Sequence, residues 1–178
     1  MGKLILLLII ITLSPGISCK DYKEQEKQDT QTIRTTTVAT LKESSKNYLK
    51  AWNNNDSMMI KKIAIRNIIR NVNGEITSNN QKGLNKTMNF WHTALPDLKV
   101  VGNEIIIQGN RSYVSWTSKG TNTGMFGDMT PTGKKSKTEG FSVLTFDAEG
   151  QLIHENSFFN ILGIMEDWGY ALLPPNME

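Results

Sequence analysis

The sequence predicts an α+β domain, helices first and a meander of antiparallel strands afterwards, on two observations. Up to Pro96 the apolar residues recur at helical spacing, Leu41, Tyr48, Leu49 and Trp52 in one segment and Leu84, Met88, Trp91 and Leu95 in another. Such stripes mark one buried helix face. After Pro96 the period falls to two, in runs rich in Val, Ile, Phe, Tyr, Trp and Thr, which is the pattern of half-buried strands. A curved antiparallel sheet wrapped over a helical layer satisfies both patterns, and its concave face can leave a cavity under the helices.

The elements follow in chain order. A first helix is expected over about 39–53, closed by Asn53-Asn54-Asn55. Asp56 is a good N-cap for a shorter helix through Ala64. A strand from Ile65 to Val72 meets the turn Asn73-Gly74, and a third helix runs from Asn80 to Ala94, where Pro96 stops it. Strands are expected at 98–108, 111–121, 136–147 and 151–160, separated by Gly109-Asn110, the long connection Gly120 to Lys134, and Asp147-Ala148-Glu149-Gly150. The last segment, Ile161 to Glu178, carries Trp168, Tyr170 and paired prolines, and is placed as a closure for one end.

Ahead of this domain, Met1-Gly2-Lys3 is followed by the apolar run Leu4 to Leu13 and then small residues before Cys19. That is the build of a secretory signal, too short to span a bilayer. Cys19 is the one cysteine of the chain, so no intramolecular disulfide is possible, and an exposed thiol is a liability in an oxidising compartment. Gly16-Ile17-Ser18-Cys19 resembles the lipobox of bacterial lipoproteins, with Gly16 where leucine is usual. The resemblance implies lipidation of Cys19, and Lys20 beside it implies the outer membrane. The expected division is 1–18 signal, 19–38 disordered tether and 39–178 folded domain; the tether mixes charges with Gln and Thr and has little to bury. Loss of Lys3 with the signal takes the formal net charge from +3 to +2, and no clustered basic face is visible along the chain, so a nucleic-acid partner is not expected.

Several chemistries are excluded by pattern. Gly120 to Lys134 ends in Gly-Lys, but a phosphate loop needs glycine at 128 and Ser or Thr at 135, where Asp128 and Lys135 stand; it also feeds a strand rather than a helix. The two histidines, His92 and His154, form no metal-ligand cluster, so no metal is expected. No GxSxG nucleophile is present. Trp52, Trp91 and Trp116 come from two helices and a strand; converging aromatics fill a core or line an apolar cavity, and the sequence leaves both open.

Taken together, Tyr48-Leu49-Lys50-Ala51-Trp52-Asn53 with Asp56, Ala94-Leu95-Pro96-Asp97-Leu98, Ser115-Trp116, Gly120-Thr121-Asn122-Thr123-Gly124, Pro131-Thr132-Gly133-Lys134, Glu139-Gly140 and Gly150-Gln151-Leu152-Ile153-His154-Glu155 resemble the SnoaL-like polyketide cyclase and ester cyclase family of the NTF2-like superfamily. The resemblance spans about residues 40–170. It implies a cone-shaped fold, three N-terminal helices on a curved antiparallel sheet enclosing an apolar pocket, often in a homodimer formed through the sheet. It also implies cofactor-free proton transfer beside a carbonyl, driven by a last-strand aspartate. Here the corresponding positions fall on Asn156-Ser157 and Asn160, and neither Ser157 nor Asn160 ionises near neutral pH.

Glu155, His154 and His92 are therefore the candidate replacement bases. Alternation puts Glu155 on the face of Ser157, and His154 on the face of Asn156 and Asn160. The pocket is expected to be lined by Trp52, Trp91, Trp116, Asn156, Ser157 and Asn160. Met125, Phe126 and Met129 are placed on an access loop with glycines 124, 127 and 133 supplying backbone freedom. The functional expectation is an exported, lipid-anchored domain at the cell envelope that binds a small apolar or amphipathic organic molecule. A cofactor-independent isomerase, cyclase or dehydratase and a non-catalytic interaction module are the alternatives.

Overall fold

In the computed structural model, residues 38–171 are described; the expected signal, Cys19 and the tether lie outside the described residues. Helix α1 occupies residues 38–54. It ends in the left-handed conformation at Asn55 (φ 51°), with the Asp56 amide donating back to the Ala51 carbonyl at 2.9 Å. Asp56 then accepts from the amides of Met58 and Met59 and opens α2, Ser57–Ile63. Strand β1, Ala64–Val72, turns through Asn73 (φ 50°) and Gly74 (φ 94°) into β2, Glu75–Ser78. Helix α3, Gln81–Ala94, is capped by Asn80, and β3 (Lys99–Gln108), β4 (Arg111–Thr121), β5 (Lys135–Phe146), β6 (Leu152–Phe159) and α4 (Ile161–Asp167) complete the order.

Two expectations are corrected. The helices number four among the described residues, not three: α4 follows the last strand, capped by Asn160, whose side chain accepts from the Gly163 amide at 2.9 Å. The six-stranded sheet, in the order β2-β1-β6-β5-β4-β3, is mixed, because β1 lies parallel to β6 while every other neighbour is antiparallel. Strand β2 was also unforeseen. Its signal was present: Asn-Gly with both residues at positive φ is a two-residue hairpin turn, and a hairpin demands a second strand.

The helices cover one face of the sheet. Tyr48, Ala51 and Trp52 of α1, Ile60 of α2 and Leu84 and Met88 of α3 share a core with Val114, Trp116, Leu144, Phe146 and Leu152. A second cluster, Ala94, Leu95, Leu98, Ile164 and Trp168, sits where α3 ends and α4 returns. The Asn53 carboxamide binds both backbone groups of Val100, at 2.6 Å each, tying the end of α1 to β3.

Candidate functional site

Period-two alternation points Val114, Trp116 and Ser118 of β4, Thr138, Ser142 and Leu144 of β5, and Glu155, Ser157 and Phe159 of β6 into one cavity of about 60 Å³. Strand register arranges them in rows. Glu155 lies opposite Leu144, Ser157 opposite Ser142, Gly140 opposite both Phe159 and Trp116, and Ser118 opposite Thr138. The rows run from a polar floor, past an aromatic belt, to a hydroxyl pair near the end of the 122–134 connection. Gly140 is required by the belt: a Cβ there would stand inside the Trp116 ring.

The floor is an ion pair in apolar surroundings. Arg70 and Glu155 are register partners on the parallel strands β1 and β6, so their side chains meet directly, Nε to Oε2 at 2.7 Å, with both side chains buried. The Tyr48 hydroxyl makes a short hydrogen bond to the same Oε2. Arg70 also donates to Thr77 Oγ1 at 3.1 Å and lays its guanidinium 4.9 Å from the Trp52 ring centre. Burial, and then the Glu155 charge, hold the Tyr48 phenol well above its ordinary pKa. Tyr48 is thus a fixed donor rather than an acid.

On the other side, Trp116 Nε1 donates to Ser142 Oγ at 3.0 Å. Ser142 has one proton and two oxygens within reach, Glu155 Oε1 at 3.0 Å and Ser157 Oγ at 3.2 Å. The charged acceptor is the stronger, which leaves the Ser157 hydroxyl to offer its own proton to Ser142 or to the cavity. Every Glu155 oxygen is engaged, and Ser157 is the adaptable group of the floor.

Of the three candidate bases only Glu155 faces this cavity. His154 points away from it, its Nδ1 3.4 Å from the Asn156 amide nitrogen, and His92 donates from Nε2 to the Trp52 carbonyl at 2.6 Å. Trp52, Trp91, Trp116 and Ser157 line the cavity. Asn156 and Asn160 do not: Asn156 shares the outward face with His154, and Asn160 is spent as the α4 cap. No cluster able to hold a metal ion occurs among the described residues.

The 122–134 connection is stapled rather than loose. Buried Asn122 donates to the carbonyls of Ala94 and Gly124 and accepts from the Thr132 amide and hydroxyl. Asp97 accepts from the Thr121 amide at 2.6 Å and hydroxyl at 2.8 Å, which lowers its pKa below the ordinary carboxylate range. Gly127 and Gly133 have positive φ, whereas Gly124 is needed for close approach to the Thr93 carbonyl. Phe126 packs at a tilt against Trp91 (ring centres 5.1 Å apart) and Phe90 (4.7 Å), and Met129 bridges back to Phe126, while Met125 is exposed. None of the three lines the cavity, but Trp91 does, so the connection touches it through one ring.

The residues that sequence reasoning missed are Arg70 and Ser142, with Tyr48 read only as a core position. The available signal was an arginine two residues after Ile68, on the same strand face as that buried side chain, since a buried guanidinium must find an anion.

A helix-covered mixed sheet with a partly apolar cavity and a polar floor defines the NTF2-like class of domain. Similar solved structures include AclR from Streptomyces galilaeus (22% identity, TM-score 0.67, covering 78% of this chain and 87% of that one). Others are TsrD from Streptomyces laurentii (14%, TM-score 0.67, covering 75% and 97%) and an NTF2-like protein of unknown function from Burkholderia pseudomallei (12%, TM-score 0.61, covering 74% and 98%). At these identities the likeness shows the fold. No curated protein matches the sequence significantly. Residues 42–168 match the family model for the SnoaL-like polyketide cyclases, and the chain belongs to that family.

Proposed function

We propose that the domain binds a small amphipathic organic molecule, its apolar part against Trp52, Trp91, Trp116 and Phe159 and its polar end on Ser157 and the Arg70–Glu155 floor. The carrying observation is the combination of an aromatic belt with a polar floor in one cavity. Size restricts the ligand: about 60 Å³ is well below the roughly 150 Å³ of a benzene-binding cavity. A ring-sized molecule therefore needs Trp91 and Phe126 to move, which gives the 122–134 connection a role in access. The test is native mass spectrometry and titration with a panel of small amphiphiles. Binding lost in Ser157→Phe supports the reading; a panel that binds equally well to that variant sinks it.

A second reading, proton transfer by Glu155, is favoured by its being the one candidate base in the cavity. Tyr48, Arg70 and Ser142 take three of the roughly four lone-pair positions of its carboxylate, which weighs against it, since a base needs a lone pair aimed at its substrate. Turnover that survives Glu155→Gln excludes it.

Export, lipidation of Cys19 and residence at the outer membrane belong to the same proposal, supported by the charged start, apolar run and lipobox-like Gly16-Ile17-Ser18-Cys19. Labelled fatty acid incorporated by the intact chain and lost in Cys19→Ser is the expected result. A homodimer through the sheet is supported by the outward register pairs Ile106–Tyr113 and Phe141–Phe158, of which Ile106, Phe141 and Phe158 are exposed. Sedimentation is expected to show a dimer that Phe141→Glu dissociates.

A further inference from the structure

No clustered basic face is visible in the sequence, yet the fold gathers one. A cleft of about 1190 Å³ between α2, the start of β1 and the first turns of α3 is lined by Lys61, Arg66, Lys82 and Lys86, with no acidic residue among its walls. All four are exposed, and none has a carboxylate within ion-pair distance among the described residues. Asp56, the acid nearest Lys61 in sequence, has its Oδ1 on the amides of Met58 and Met59. Lys82 and Lys86 stand one helical turn apart, a like-charged pair that an isolated helix disfavours. Between the cations the walls carry carboxamides, Asn67, Asn85 and Asn89. Asn67 is exposed, whereas the Asn89 Oδ1 already accepts from Asn55 Nδ2 at 2.6 Å.

We infer that this cleft binds an acidic polysaccharide. Four uncompensated cations ask for several anionic groups, and carboxamides that both donate and accept match hydroxyl groups lying between those anions. The volume exceeds the roughly 300–1,000 Å³ of enclosed small-molecule sites, so a stretch of a longer chain fits better than a single compact molecule. Single-stranded nucleic acid fits less well, because no aromatic side chain lines the cleft to stack a base.

The experiment is calorimetric titration of the full chain with polygalacturonate, which carries carboxylates and hydroxyls, against polyacrylate, neutral dextran and a single-stranded DNA oligomer at matched charge where charged. Polygalacturonate is expected to bind with an affinity that falls steeply with salt, and to lose about tenfold or more in Lys82→Glu/Lys86→Glu. Asn67→Ala, at an exposed carboxamide of the cleft, is expected to weaken polygalacturonate while leaving residual polyacrylate binding unchanged. Equal affinity for polyacrylate or DNA, or undiminished binding by the double variant with its circular dichroism intact, overturns the inference. Ligand binding in the apolar cavity is measured separately and does not depend on these residues.

Discussion

The cavity holds one guanidinium against one carboxylate, Arg70 Nε 2.7 Å from Glu155 Oε2, whereas the cleft between α2 and α3 holds four cations and no acid. The difference follows from solvent. A charge removed from water must be matched within the protein, because desolvation otherwise costs several kcal/mol per ion. A charge left in water needs no internal partner, and what it lacks inside the molecule it is free to find outside. The interior pair thus serves the architecture of the pocket, and the surface cluster is available for recognition.

The comparison is broken most forcefully from the inside. Glu155→Gln leaves Arg70 buried without its counter-charge and is expected to destabilise the domain by about 3–5 kcal/mol, read from denaturant midpoints. Replacing both, Arg70→Met with Glu155→Leu, should recover much of that loss; if the single variant costs under about 1 kcal/mol, the pair is not holding the floor together. Next in size is Gly140→Ala, which forces a methyl into the Trp116 ring and is expected to cost about 1–3 kcal/mol by overpacking, with a change in tryptophan fluorescence.

Asp97 is an intermediate case, an exposed charge that is nevertheless engaged. Its folded-state pKa is lowered by the Thr121 hydrogen bonds. Its contribution is therefore present above the unfolded pKa of about 4 and lost as pH falls through the lower folded value. Asp97→Asn is expected to cost about 1 kcal/mol at pH 7 and to flatten the stability profile below pH 4. The smallest effect belongs to the cleft: Lys86→Gln relieves repulsion from Lys82 and should change stability by roughly 0.2–0.5 kcal/mol, upward. A loss of several kcal/mol there would mean that the cleft cations are structural after all.

Much of the fold was legible because it is locally encoded. The stripe of Leu84, Met88 and Trp91, the Asp56 cap and the alternation of β4 each act within a few residues, and the elements fall within a residue or two of expectation. The alternation of β6 also separated Glu155 and Ser157 from His154 and Asn156, although it did not say which pair faces inward. Parallel pairing of β1 with β6, and with it the meeting of Arg70 and Glu155, was not legible, since nothing local records which strands become neighbours across so long a separation. The basic cleft was hidden for the same reason: Lys61, Arg66, Lys82 and Lys86 are interleaved with polar and apolar residues and become a cluster only once α2 and α3 are packed. The motifs that carried the family resemblance turned out to be stitches, Asp97 to Thr121 and Asn122 to Ala94, which explains how they can signal a fold without signalling a reaction.

The β1–β6 pairing also carries a kinetic consequence. Strand β1 has β2 on one side from early in the chain, but its other neighbour is made of residues 152–159, so the central ladder closes only when the last strand has joined. Such high contact order slows folding and keeps a sheet edge unpaired until late. Any chain shortened before β6 lacks both the partner of Arg70 and the middle of its sheet. A competent cavity is in this sense a certificate of completion, formed in the same step that finishes the domain.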